Sequence, residues 1–346
     1  DHQGRMTLQQ WRLPALMILS SSISTAQAAE TNLSMMIPHG CTQTIVEPHL
    51  HINTRYENPI EPDEYLSELD DAHIFTGIVL AVYGPSNPRQ YGDENEAVLQ
   101  IANRSKGRLY GFASLNTSDW DDNGEMQLAQ LSKYLEQSGI VGVKLAPPHT
   151  CFALDDDAML QIARVAASSS APVMFIHVGS TPFCPEGRLA FSNVCCTARY
   201  IDPLYLEPLV QTFANVTWVL VHAGFDFALA DTSFVIPRTP RTAFTSNAIS
   251  MAEKYPNVYL ELSAIFASHV NGTLKYFGGD AVVKQILDRS VVSKTMFGGD
   301  ANHGMPGQNN TRRNLESLNA SMIEAGYTTE QVCRVLTGTA HEVFKI

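Results

Sequence analysis

The chain has 346 residues, 45% of them hydrophobic and 17% charged, with a mean hydropathy of −0.07, which is enough for one large barrel or two smaller domains. A formal net charge of −12 excludes a nucleic-acid footprint, since that needs a clustered Lys/Arg surface, and favours a small-molecule substrate. Low-complexity tracts and repeats of fixed period are missing, so one domain is the simpler expectation.

The chain opens on a leader-like segment. Met6 as a start, Arg12, an apolar stretch from Leu13 to Ile23 and the small residues Ala26-Gln27-Ala28 have the layout that a signal peptidase reads. Cleavage before Ala29 is expected, with residues 1–28 outside the fold, 29–346 as the mature domain, and a secreted or periplasmic location. Ser20, Ser21 and Ser22 interrupt the apolar run, which falls short of the ~20 residues a membrane span needs. No span is therefore expected in the mature chain; a homo-oligomer is left open.

Strand and helix patterns then take turns. Apolar, β-branched runs at Thr44–His51, Gly77–Tyr83, Leu109–Leu115, Val141–Leu145, Val173–His177, Thr217–His222, Val258–Ser263 and Thr295–Asp300 predict about eight strands. Helical periodicity marks Glu94–Ser105, Met126–Gln137, Ala158–Ser168, Tyr205–Phe213, Ser246–Lys254, Ala281–Leu287 and Thr311–Ala325. Hydrophobicity that is continuous along a strand means that both sheet faces are covered, as in an all-parallel sheet wrapped by helices. An open, doubly wound sheet would read similarly. Metal-type ligands at the C-terminal ends of the first, fifth, sixth and eighth strands decide for a closed α/β (β/α)8 TIM barrel, which delivers distant residues to one rim.

Those ligands are His49 and His51 in TIVEPHLH, His177 in APVMFIH, His222 in VTWVLVH and Asp300 in SKTMFGGD. His49 and His51 are an i, i+2 pair, so on a strand they share one face and can converge on one ion. An isolated H-x-H or strand-end histidine is more often a packing residue, satisfied by a backbone carbonyl. Four independent recurrences at strand ends outweigh that reading. His341 sits in the closing helical segment and is expected to be structural, and His269 has no comparable placement.

Six cysteines suit an oxidising compartment. A disulfide from Cys184 to Cys195 or Cys196 would close the long segment between the fifth and sixth strands, whereas for Cys41, Cys151 and Cys333 buried thiols are as good a reading and no pairing is legible. Sequons begin at Asn32, Asn103, Asn116, Asn215, Asn271, Asn309 and Asn319 and matter in a source that glycosylates its secreted proteins.

In chain order EPHLH, GFASLN, GVKLAP, PVMFIHVG, VLVHAGFD, NVYLELSAIF, MFGGDAN and GTAHEVFKI resemble the amidohydrolase-related family, in particular the branch with aminocarboxymuconate-semialdehyde decarboxylase, aromatic-acid decarboxylases and lactone hydrolases. The resemblance runs from about Ile45 to Phe344. It implies one divalent ion, zinc first and manganese or iron as alternatives, held by His49, His51, His177 and Asp300, with His222 as the catalytic histidine that handles protons. Departures are Glu47 where the family commonly has Asp, and Ala301-Asn302-His303 after the last aspartate, which would reshape the substrate pocket. Lys144 stands where binuclear relatives carry a bridging carboxylated lysine; binding a substrate carboxylate or capping the core is the preferred role. His149, Asn302 and His303 are further candidates for touching substrate.

Three imidazoles and a carboxylate leave a divalent ion net positive, able to lower the pKa of bound water to about 7. Asp300 would take that water's proton, and His222 would stabilise the oxyanion or protonate the leaving group. The expected reaction is hydrolysis of an ester, lactone or amide carbonyl in a small organic acid. The alternative is non-oxidative decarboxylation of an aromatic or unsaturated acid, a carboxy-lyase activity. A metal-free binding protein on the same barrel ranks third.

Overall fold

The computed structural model describes residues 41–52, 62–81, 94–117, 120–181, 195–227, 243–270, 273–276, 278–302 and 310–346. The leader expectation for residues 1–28, Cys184 and His303 lie outside the described residues. Seven strands, β1 (Val46–His51), β2 (Thr76–Leu80), β3 (Leu109–Ser114), β4 (Ile140–Leu145), β5 (Val173–His177), β6 (Thr217–Val221) and β7 (Val258–Glu261), pair in parallel with their sequence neighbours. An antiparallel ribbon, β8 (Ala267–Val270) with β9 (Thr273–Tyr276), stands apart from that sheet and has no counterpart in the sequence reading.

Closure comes from a single segment. β10 (Thr295–Met296) pairs with β7, and β11 (Ala301–Asn302), four residues on, pairs with β1. The two pieces form the expected eighth strand, broken by Phe297-Gly298-Gly299-Asp300, and the sheet becomes the (β/α)8 barrel anticipated from the chain. Helices Glu94–Arg104, Trp120–Leu135, Asp157–Ala167, Glu207–Thr212, Ala243–Lys254, Gly279–Asp288 and Asn310–Ala325 occupy the expected places. Pro62–Asp71 is an addition; its fully buried apolar contribution is little more than Tyr65 and Leu69, an i, i+4 pair too sparse to read as a stripe. Local chemistry sets the ends. Asp156 accepts from the Ala158 N–H at 3.1 Å, and Thr328 with Gln331 makes a reciprocal capping box.

Two apolar layers result. Residues between sheet and helices form the larger cluster, while Val46, Ile78, Leu80, Phe112, Phe175 and Val221 fill the interior. The floor of the interior is plugged by the last helix, Thr339–Phe344, whose Phe344 stands edge-on to Phe112 at 5.6 Å. The rim opposite is left to polar groups. None of the described helices is long and apolar enough to cross a membrane.

The cysteine reading is corrected in part. Cys151 pairs with Cys195 and Cys41 with Cys333, which removes Cys195 as a partner for Cys184 and the buried-thiol alternative at Cys41, Cys151 and Cys333; Cys196, the other partner expected for Cys184, is disulfide-bonded. Spacing hid both pairings. Cys151 follows the turn of helix Pro147–Thr150 with a φ of 52°, and the Cys195 N–H reaches back to the Pro148 carbonyl at 2.9 Å, a return over the fourth strand that the spacing does not show. Cys41–Cys333 joins chain ends 292 residues apart. Among the sequons, Asn319 is buried, which bars modification of the folded chain there.

Candidate active site and metal centre

An irregularity in β1 aims its two histidines. Val46 belongs to the interior cluster, and strict alternation would turn His49, three residues on, towards the helices. The register against β2 shifts between Glu47 and Leu50, and this bulge brings His49 and His51 onto the inner face. His51 lies in register with Asn302 of β11, which sets Asp300 beside it. The Asp300 carboxylate Oδ1 is 2.9 Å from His51 Nε2 and 3.3 Å from His49 Nε2.

Strand ends around the site hold strained backbone. His222, Ala223, Ala264 and Asp300 have φ of 60°, 47°, 58° and 51°, the left-handed region that non-glycine residues seldom adopt. Such strain clusters at functional sites when the surroundings over-determine it. Two carboxylates supply that determination. Glu47 Oε1 accepts the His49 and Gly299 N–H groups at 2.8 and 2.9 Å, and Glu261 Oε2 accepts the His222 N–H at 3.1 Å and the Ser263 hydroxyl at 2.9 Å. Gly298 and Gly299 have to be glycine for these carboxylates to fit: an added Cβ would lie 1.6 Å from Glu261 Oε1 and 2.2 Å from Glu47 Oε2.

Burial governs the charges. It lowers His49, with Lys144 adding to the effect, and His177, with His222 adding to it, well below the ordinary histidine value. His149 and His222 are brought down to about 4 by burial first, so all four rings are neutral near pH 7 and have lone pairs to offer. Burial pulls Lys144 down to about 8 and pushes Glu47 up to about 8 and Glu261 upward. For Asp300 burial raises the pKa, but His49, His51 and His222 outweigh it and hold the carboxyl well below its usual value.

Two three-residue groups could hold a cation: His49, His51 and Asp300, and His49, His222 and Glu261, each with ligand atoms within 4.8 Å of one another. His177 is in neither group. Its ring packs edge-on against His222 at 4.6 Å and His149 at 5.3 Å, and its Nε2 meets the Ser180 carbonyl at 3.3 Å. A carbonyl only accepts, so that nitrogen carries the proton and Nδ1 keeps the lone pair. Lys144 is buried, with Nζ 3.4 Å from His49 Nε2 and 4.9 Å from the centre of the Phe175 ring. His149 lies in the short helix after β4, beside His177; Asn302 is in β11, and His303 is outside the described residues. His341 bonds to the Thr44 carbonyl at 2.9 Å and to the Ile346 carbonyl, tying the closing helix to the start of the barrel. Sequence reasoning passed over Glu261 and Ser263, although E-L-S ends the seventh strand with the same i, i+2 spacing as the H-x-H pair.

The amidohydrolase family profile matches residues 48–346. No curated protein sequence matches the chain. Among solved structures, one from Pseudomonas putida described as a 2-pyrone-4,6-dicarboxylic acid hydrolase is 16% identical with a TM-score of 0.53, covering 88% of this chain and 98% of that one. An amidohydrolase from Burkholderia multivorans is 17% identical with a TM-score of 0.52 over 88% and 99%. One described as an amidohydrolase from Staphylococcus aureus is 11% identical with a TM-score of 0.55 over 87% and 99%. At such identities the likeness is one of fold.

Proposed function

This chain belongs to the amidohydrolase family, and from that premise we propose that it is a metal-dependent hydrolase that adds water to an ester, lactone or amide carbonyl of a small organic acid. One observation carries the reading: His49 Nε2 and His51 Nε2 converge on the same Asp300 oxygen. Lys144 can only donate, so His49 Nε2 facing it is a lone pair. That lone pair and the Asp300 carboxylate are then two acceptors 3.3 Å apart, an arrangement that a cation between them would relieve. The donor set fits a divalent ion held by His49, His51 and Asp300, with His177 Nδ1 as the fourth candidate and zinc preferred for a nitrogen-rich set.

When bound, such an ion polarises a carbonyl and makes water acidic enough to attack near pH 7. The chain's residues do the rest. Asp300, ionised across the working range, receives the proton from the attacking water. His222, neutral, takes that same proton over from Asp300 and delivers it to the leaving oxygen or nitrogen, so both groups end the step as they began it. The buried ammonium of Lys144 provides a counter-charge for a substrate carboxylate, and His149, Asn302 and His303 are the further residues proposed to touch substrate.

The test is elemental analysis with product mass spectrometry on a panel of lactones, esters and aromatic acids in ¹⁸O-water. One tightly held ion per chain, lost in His51→Ala and Asp300→Asn, and ¹⁸O in the product are expected. Carbon dioxide release without ¹⁸O would replace hydrolysis by decarboxylation, and full metal content in both variants would overturn the ligand set.

A further inference from the structure

The second of the two cation-competent groups has an oxygen already at its heart. Ser263 Oγ lies 3.0 Å from His49 Nδ1, 2.9 Å from His222 Nδ1 and 2.9 Å from Glu261 Oε2. All four residues are buried. A hydroxyl has one proton to give and two lone pairs to offer, so three contacts leave it a single consistent arrangement once one direction is known. The Ser263 proton goes to the Glu261 carboxylate, and both lone pairs then face ring nitrogens that must be protonated.

Two further contacts point the same way independently. His222 Nδ1 lies 3.1 Å from the Ser263 main-chain carbonyl, which only accepts, so this nitrogen donates. On the other side, His49 Nε2 faces the donor-only Lys144 ammonium at 3.4 Å, so its proton sits on Nδ1, towards Ser263 and, at 3.4 Å, Glu261 Oε1.

We propose that Ser263 is a positioning residue whose hydroxyl, anchored on Glu261, holds His49 and His222 together as Nδ1–H tautomers and so leaves each Nε2 as a lone pair, that of His49 turned towards Asp300 and Lys144. The same oxygen fills the space among His49, His222 and Glu261, so this group is a hydrogen-bonded support and not a cation site. Asp300 Oδ1 also lies 3.3 Å from His49 Nε2 and draws a proton towards that nitrogen; the Lys144 ammonium beside it and the Ser263 lone pair at Nδ1 hold the proton on Nδ1 against that pull. Outer partners that orient a ligand in this manner commonly change metal affinity about 10–100-fold when removed.

The experiment is long-range ¹H–¹⁵N correlation NMR on the metal-stripped, ¹⁵N-histidine-labelled protein at about pH 6.5, where Lys144, brought down to about 8, is still an ammonium and both rings are neutral, and it reads the protonated nitrogen of each ring directly. Wild type should show Nδ1–H for His49 and His222. Ser263→Ala should release His49, whose remaining acceptor is the distant Glu261 oxygen, while His222 stays Nδ1–H on the unchanged main-chain carbonyl; Ser263→Thr, which keeps the hydroxyl, should restore His49. An Nε2–H signal from either ring in wild type overturns the proposal even if the alanine variant does not fold, and so does an unchanged His49 in a folded Ser263→Ala. A separate titration with zinc should show about 10–100-fold weaker binding in Ser263→Ala. This readout rests on the metal-holding reading, so tautomers as described with no zinc binding in wild type would sink that reading and leave the role of Ser263 intact.

Discussion

Replacing Gly298 with alanine probes whether the broken eighth strand exists to let Glu261 through. The new methyl carbon would stand 1.6 Å from Glu261 Oε1 and 2.6 Å from its Cδ, and heavy atoms without a bond between them need about 3 Å or more. The carboxylate has to retreat by about 1.4 Å. A free side chain would do so at little cost, but this one is buried and bonded to the His222 N–H and the Ser263 hydroxyl. Overpacking costs about 1–3 kcal/mol and loss of a hydrogen bond to a buried charged group about 1.5–3 kcal/mol, so Gly298→Ala should lose roughly 3–5 kcal/mol. Urea unfolding measures this against Gly326→Ala, where φ is +89° and no atom lies within 4 Å of the added carbon, so only backbone strain of about 1–2 kcal/mol applies. Shortening the carboxylate in Gly298→Ala/Glu261→Asp should recover part of the difference through coupling of neighbours. A Gly298→Ala protein as stable as the Gly326→Ala control would refute the idea that this glycine makes room for the carboxylate.

Stability should depend on pH with two arms. His149 and His222 sit near 4 in the fold, so their contribution is present above the unfolded value near 6.5 and is lost as pH falls towards 4, at roughly 1.4 kcal/mol per unit for each group. Glu47, raised to about 8, acts in the opposite sense: its contribution is present at low pH and is lost as pH climbs from about 4.5 through 8. The windows overlap from about 4.5 to about 6.5, where two histidine gains outweigh one carboxyl loss, so thermal melts of the metal-stripped protein should peak near about pH 6.5, and Glu47→Gln should flatten the decline above it; an unaltered decline would show that another group carries it. For the disulfides, loop-closure entropy sets ceilings of about 6 kcal/mol for Cys41–Cys333, separated by 292 residues, and about 4 kcal/mol for Cys151–Cys195, separated by 44. Paired serine substitutions with denaturant titration should rank them in that order, and the reverse order would mean that barrel closure through β11 already restrains the chain ends.

Much of the fold was legible because its signals are local. Continuous apolar runs marked the strands, helical periodicity marked most of the segments between them, and a polar residue at the end of β5, β6 and the last segment marked the rim. The identities of His49, His51, His177, His222 and Asp300 as neighbours at one end of a barrel follow from those positions alone, because parallel strands deliver their C-terminal ends to one face. What tertiary structure decided was which atoms meet. The β1 irregularity that turns His49 inward, the carboxylates of Glu47 and Glu261 lodged against Gly299 and Gly298, and Ser263 between two rings all join residues up to 252 positions apart. Pairings of that kind depend on register and on close packing of whole side chains. Hydrophobic pattern reports which face a residue occupies, and it holds no information about which donor that face will present to a partner from the far side of the barrel.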